Sequence, residues 1–340
     1  MKTFRASDGA AVFLKAIIIN LSLQIIASIA LLVLSTNGLI GKEGENILSL
    51  VFTILIQGGF FLAYFTTAKK QKRTSPIPLK NTGAAIPIFA LLLSGVSVIC
   101  FAYIAQWFDF LLDEIGYTSM VGLEFTSPIE IVLTVIATVI LAPVCEELVF
   151  RGALFGGLLK KMKVFPAVIL SAACFAFMHM NPEQTVYQFI LGVIAALTVY
   201  YSGSLIPSIV LHSGNNLIAL VMTLVPVSES GEALTPSLDL LWVTLMMAAV
   251  GAALVYAALR LIRKITAKRA ARLGGESKDN SASSLRASLL AEEERDMLDE
   301  EEGNIPAPLL GKKSHLILTL ITLGVCVLMW FFTFGMGMIA

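Results

Sequence analysis

The chain has 340 residues, of which 57% are hydrophobic and 14% charged, with a formal net charge of zero and a mean hydropathy of +0.84. A soluble domain carries about 25% charged residues, so this composition excludes an ordinary soluble fold, and the balanced charge gives no electrostatic footing for nucleic acid. The partner that composition does imply is the lipid bilayer.

Apolar segments of spanning length, about 17–25 residues, occur at 12–34, 46–67, 84–107, 128–159, 164–180, 183–201, 204–224, 237–262 and 315–338. They predict an all-α, polytopic transmembrane helix bundle of about eight or nine spans. The first segment is longer than the apolar core of a secretory signal, contains Lys15 and Gln24, and runs into Gly41-Lys42-Glu43 without a small-residue cleavage site, so it is expected to stay in the mature protein. The fourth is too long for one straight crossing, since a helix over 128–159 would rise about 48 Å against a hydrocarbon core of about 30 Å. Pro143 is the expected bend, because proline lacks a backbone donor and clashes with the preceding turn.

Basic clusters prefer the cytoplasm. Lys69, Lys70, Lys72 and Arg73 follow the second segment, Lys160, Lys161 and Lys163 follow the fourth, and Arg263, Lys264, Lys268, Arg269 and Arg272 follow the eighth. A cytoplasmic N-terminus puts all three on one side and the acidic connections Glu43 to Glu45, Asp113 to Glu124 and Glu229 to Glu232 on the other. The cysteines, Cys100, Cys145, Cys174 and Cys326, lie in apolar segments without metal-ligand spacing and read as small core residues. No internal repeat suggests a transporter built from two halves.

Residues 264–314 break the apolar pattern, passing from the basic cluster through Gly274-Gly275 and the serine-rich stretch 277–288 to an acidic run from Glu292 to Glu302. They read as a polar cytoplasmic linker, a solvated tether with a short helix around Ser283 to Asp299. The expected organisation is N-terminal transmembrane helices over 1–124, a core over 125–225, a following transmembrane helix over 226–263, the linker over 264–314, and an appended helix over 315–340, outside the main bundle.

The chemistry concentrates between residues 146 and 216. Glu146, Glu147 and Arg151 fall in the apolar run Val132 to Leu159, where a charged residue costs roughly 2.5–3.5 kcal/mol to insert. On a helix Glu147 and Arg151 share a face at the favourable acid-before-base spacing. Glu146 is turned away by about 100°, which leaves its carboxylate free for proton transfer. A structural ion-pair cluster is the plainer reading, but a second glutamate adds cost to such a cluster without need. Two of the chain's 3 histidines, His179 and His212, also lie in apolar segments, His179 four residues after Phe175 and His212 four before Asn216. A lone histidine there is more often a hydrogen-bonded core residue; two beside a spare glutamate make a plausible site. Rise along the chain puts Glu146 and His179 at about 21 and 24 Å from the Lys160–Lys163 turn, whereas His212 lies only about 12 Å deep. Tilt or a helix break at Gly203, Pro207 or Gly214 is needed to bring it level.

Glu146-Glu147-Leu148-Val149-Phe150-Arg151 resembles an EExxxR motif, Phe175 to His179 an FxxxH motif, and His212 to Asn216 an HxxxN motif. In this order they resemble the motif set of the CPBP intramembrane proteases, the superfamily of type II CAAX prenyl endopeptidases, Abi proteins and bacteriocin self-immunity proteins. The resemblance covers roughly residues 125–225. It implies peptide-bond hydrolysis in the membrane, with Glu146 as general base on a water held with the help of His179. His212 and Asn216 would stabilise the oxyanion, and Glu147 and Arg151 would hold Glu146 in place. The substrate implied is a membrane-associated or prenylated-type peptide or protein.

A mechanism without a cofactor is favoured. Zinc is the alternative, with Glu146, His179 and His212 as ligands and a fourth position for water, although the H-E-x-x-H signature is absent. Ser213 and Cys145 lack a base at a convincing spacing and read as packing residues. Two readings of other classes stand beside the protease. A proton-coupled transport path would spread ionisable groups over several spans, whereas here they cluster. A non-catalytic scaffold or bacteriocin-immunity protein would bind a membrane partner and keep the motifs for structure; replacing Glu146 by Gln separates it from an enzyme.

Overall fold

The computed structural model describes residues 2–118, 125–225, 237–272, 281–301 and 314–339. Its helices in chain order are α1 (Ala6–Thr36), α2 (Lys42–Gln71), α3 (Ala85–Glu114), α4 (Pro128–Lys161), α5 (Val164–Met178), α6 (Thr185–Ser202), α7 (Ile206–Leu224), α8 (Leu238–Arg272), α9 (Ser281–Glu301) and α10 (Ser314–Gly337). Among the described residues 8 helices are long and apolar enough to cross a membrane, all but α5 and α9. The only β pairing there is a single bridge between Thr3 and Thr74. The protein is an all-α polytopic bundle, as the hydropathy pattern predicts. Of the expected acidic connections, 119–124 and Glu229 to Glu232 lie outside the described residues, as do Gly274-Gly275 and residues 277–280 of the serine-rich stretch.

Helix α4 runs through the centre and begins where Pro128 takes the first turn. There Glu130 accepts bonds from the Thr126 amide at 3.1 Å and from Asn46 Nδ2 at 2.9 Å, satisfying donors at the helix entry and tying it to the start of α2. At the expected bend, Pro143, the helix continues with altered winding: two π-helical stretches, Val135–Leu141 and Leu148–Phe155, flank one short α-helical stretch, Ala142–Glu147. Pro143 sits in the first turn of that stretch, where the preceding backbone has already been widened to i→i+5 pairing, and the ring is accommodated by this change of winding. Phe13, Phe150, Phe155 and Phe175 are fully buried around it and form the aromatic heart of the bundle.

Helix α5 stops at Met178, short of the expected residue 180, and His179 is its C-cap. Fifteen residues rise only about 22 Å, less than the hydrocarbon thickness of about 30 Å. The turn into α6 therefore lies at membrane depth, where irregular backbone is tolerated only inside protein or along a cavity. Met180 takes a left-handed conformation in this turn, with φ of 53°, and Asn181 Oδ1 accepts the Glu183 amide at 3.0 Å.

The α6–α7 connection is also sunken. Ser202 and Ser204 are fully buried, the Leu205 amide donates to the Pro78 carbonyl at 3.1 Å, and Ser204 Oγ donates to the Lys80 carbonyl at 2.8 Å. Gly203 makes the turn with φ of 64°. Because the α2–α3 connection covers this turn, α7 starts deep, and His212 reaches the level of Glu146 without a break in α7. Gly214 lies directly against Ser94 and Leu91 of α3, a close approach of the kind that small residues permit between membrane helices.

Two expectations about the chain's end are corrected. Residues 281–301 are not a free tether: α9 docks on the bundle through Arg73 to Asp296 at 2.5 Å, Lys161 to Glu293 at 2.5 Å and Lys2 to Asp296 at 3.1 Å. The acidic run finds the basic helix ends, which long-range charge complementarity favours and local composition does not reveal. Nor is α10 outside the bundle. It packs on α1 and α5, and Trp330 Nε1 donates to Thr185 Oγ1 at 2.7 Å.

Candidate active site

Winding and sunken turns bring five of the six motif residues together. Arg151 Nη1 lies 2.8 Å from Glu147 Oε1, and both side chains are fully buried. Arg151 Nη2 donates to the Gly192 carbonyl at 3.3 Å, and its guanidinium lies 4.1 Å from the centre of the Phe175 ring, a cation–π contact strengthened by the dry surroundings. Gly192 itself packs on Ala172, so the carbonyl that receives the arginine belongs to a tight α5–α6 contact. The expected pairing of Glu147 with Arg151 is therefore present, and Arg151 is held on three sides.

His212 stands between the two glutamates. Its Nδ1 is 3.2 Å from Glu147 Oε1 and its Nε2 is 3.9 Å from Glu146 Oε2. The ring packs edge-on against Phe175 with centroids 5.5 Å apart. His179 meets the opposite side of the site and packs on the same phenyl ring at 4.9 Å. Its Nδ1–H donates to the Phe175 carbonyl at 2.9 Å, which leaves the lone pair on Nε2. It is close enough to Glu146, His212 and Arg151 to feel their charges. Phe175 thus orders both histidines and the arginine.

Asn216 is set apart. Its Nδ2 donates to the Thr138 carbonyl at 2.8 Å, a group in the first π-helical stretch of α4, and it has no contact with Glu146 among the hydrogen bonds described. Its neighbour Asn215 is the more buried of the two and accepts from Tyr187 Oη at 2.5 Å. The motif spacing put Asn216 and His212 on one face, and it did not reveal that a π-helix would offer a carbonyl to the amide.

One contributor is absent from the motif reading. Gln57 of α2, buried at 6% exposure, donates from Nε2 to Glu146 Oε1 at 3.0 Å. The signal that finds it is the one that finds the glutamates: a polar side chain in the middle of an apolar span needs a partner.

A cavity reaches His179 from the side of α1 and α10. It measures about 520 Å³ and is walled by α1 (Gln24, Ser28), the α5–α6 turn (Asn181, Gln184) and α10 (Phe332, Thr333). This size suits a small-molecule or peptide ligand, and mostly apolar walls with a few polar groups are the usual make-up of such sites.

Among the described residues no three His, Cys, Asp or Glu side chains are grouped so as to hold a metal ion. No step below is derived through a metal.

Residues 128–218 match the family model described as type II CAAX prenyl endopeptidase Rce1-like. The similarity is confined to this stretch. It runs from the start of α4 into α7 and holds all six motif residues, in keeping with the resemblance read from the motifs. No curated protein and no solved structure matches the chain. Helices α1, α2 and α10, which supply Gln57 and two walls of the cavity, lie outside the Rce1-like stretch. The family points to a membrane-embedded peptidase of the CAAX type.

Proposed function

We propose that the protein is an intramembrane endopeptidase that hydrolyses a peptide bond of a membrane-associated substrate with a water activated by Glu146. The observation that carries this reading is the pair of buried glutamates with divided partners: Glu147 is engaged by Arg151 and His212, while Glu146 is paired with no lysine or arginine among the described residues and accepts from the Gln57 amide. A buried carboxylate without a cationic partner is costly unless it has work to do. Glu146 takes a proton from water as the water oxygen bonds to the substrate carbonyl carbon. The carbon–nitrogen bond then breaks, and the proton passes from Glu146 to the departing amine. His179, ordered by the Phe175 carbonyl, helps to confine the water beside Glu146. His212, whose Nε2 lies 3.9 Å from Glu146 Oε2, offers an N–H to the developing oxyanion. Asn216 joins as a second donor through the N–H that Thr138 does not take.

The test is cleavage of a panel of transmembrane peptides and farnesylated C-terminal peptides by purified protein in liposomes, with products read by mass spectrometry. Wild type is expected to give products that Glu146→Gln and His179→Ala do not. His212→Ala should lower the rate by on the order of 10²–10³, the cost of one oxyanion donor. Products made equally well by Glu146→Gln would reject the mechanism and leave a scaffold as the better account.

A further inference from the structure

Gln57 stands mid-way along α2, in the apolar run Val51 to Phe61 and outside the Rce1-like stretch. Its Nε2 donates to Glu146 Oε1 at 3.0 Å. Chemistry dictates this orientation of the amide, because an ionised carboxylate only accepts. The two outer atoms of this amide–carboxylate pair, Gln57 Oε1 and Glu146 Oε2, are both buried acceptors without a hydrogen-bond partner in the protein. His212 Nε2, at 3.9 Å from Glu146 Oε2, is beyond bonding reach. A hydrogen bond that served only to hold α2 against α4 would have no use for an orphaned carbonyl in an apolar interior, where it costs free energy until something donates to it. Water, with two O–H groups, is the smallest molecule that can serve both acceptors.

We propose, resting on the hydrolase reading above, that Gln57 is a positioning residue for the hydrolytic water. Its Nε2–H fixes Glu146 through Oε1, which keeps Oε2 as the proton-accepting oxygen. Its Oε1 accepts one hydrogen of the water, so that the other points at Glu146 Oε2 and the oxygen lone pair at the substrate carbonyl. No bond forms or breaks at Gln57. The site is thereby completed by a helix that the matched family segment does not include.

The experiment compares wild type, Glu146→Gln, Gln57→Leu and Gln57→Glu in nanodiscs. Gln57→Leu removes donor and acceptor at similar volume. Gln57→Glu keeps the shape, but its carboxyl and that of Glu146 would share one proton, so the amide donor and the free base are both lost. On the peptides that wild type cleaves, both Gln57 variants are expected to lose roughly tenfold to a hundredfold in kcat, the worth of one hydrogen bond to a charged group, with KM little changed. In infrared difference spectra, Gln57→Leu should shift the carboxylate band that disappears in Glu146→Gln. Wild-type kcat in Gln57→Glu would overturn the proposal, and so would an unshifted band in Gln57→Leu. Because Gln57→Glu is nearly isosteric, a folding failure of Gln57→Leu does not remove the test. If wild type cleaves nothing, or Glu146→Gln cleaves as well as wild type, the hydrolase reading falls and the water role with it; a shifted band then reports a structural contact only.

Discussion

Arg151 carries more of the site's stability than of its chemistry. It balances Glu147, bonds the Gly192 carbonyl and covers Phe175, so Arg151→Ala strands a fully buried carboxylate. Breaking a buried pair from one side costs about 3–5 kcal/mol. The expected outcome is a clear drop in melting temperature in detergent, with little change for Glu146→Gln, whose amide can still pair with Gln57 after an amide flip. Equal losses in the two variants would show that Glu146 too is mainly structural. The Glu147–Arg151 pair was legible in the sequence because both partners sit on one helix at a spacing that only winding decides. Gln57 was not tied to Glu146 because their bond joins helices 89 residues apart, and no local pattern encodes that distance. The bond from Asn216 to Thr138 was illegible for a related reason: its acceptor is a backbone carbonyl, which every residue has.

At the scale of elements, the spans were legible from hydropathy and the winding within them was not. The run Val135–Leu141 reads as ordinary apolar helix, yet it is π-helical, since i→i+4 and i→i+5 pairing of such residues differ through packing rather than composition. The acidic helix α9 was expected from its composition, but its dock was not, because the matching cations are on three other segments. Burial pushes the Glu292 and Asp296 carboxyls up, but the hydrogen bonds from Thr3 to Glu292 and from Arg73 and Lys2 to Asp296 outweigh it and hold both below their ordinary values of 4.5 and 3.8. A carboxyl lowered in the docked state adds stability that is complete above its free value and is lost as pH falls through its docked value. Docking of α9 is therefore expected to hold at pH 7 and pH 5 and to weaken below the ordinary carboxylate range. Hydrogen exchange of α9 amides measures this. Asp296→Lys, which faces Arg73 and Lys2 with a like charge, should expose the helix at every pH; unchanged protection in that variant would mean that apolar contacts such as Leu289 hold it instead.

For the molecule as a whole, the two ends of the chain close on the site from opposite sequence positions. Helices α1 and α10 form two walls of the cavity at His179, and sequence reading missed this because an apolar helix facing protein and one facing lipid have the same composition. Filling the cavity with Thr333→Trp is expected to raise KM for cleaved peptides by about tenfold or more while sparing kcat, on the scale of blocking a ligand pocket; an unchanged KM would mean that substrate enters elsewhere. Topology follows from where the charges gather. The Thr3 amide and Oγ1, Arg73, Lys160 and Lys161 all meet α9, so the N-terminus and the ends of α2 and α4 share one face, whereas Gly41 and Asn46 lie at the far end of α2. The excess of lysine and arginine on the shared face is the ground for expecting it in the cytoplasm. The cysteines at 100, 145, 174 and 326 are all buried, which makes an introduced thiol a clean reporter. A cysteine at Gly41 is expected to react with an impermeant maleimide in intact cells, and one at Lys72 to react only after the membrane is opened. The reverse pattern would invert the protein, placing α9 and its basic dock outside, where the charge bias that assigned the face would have no explanation.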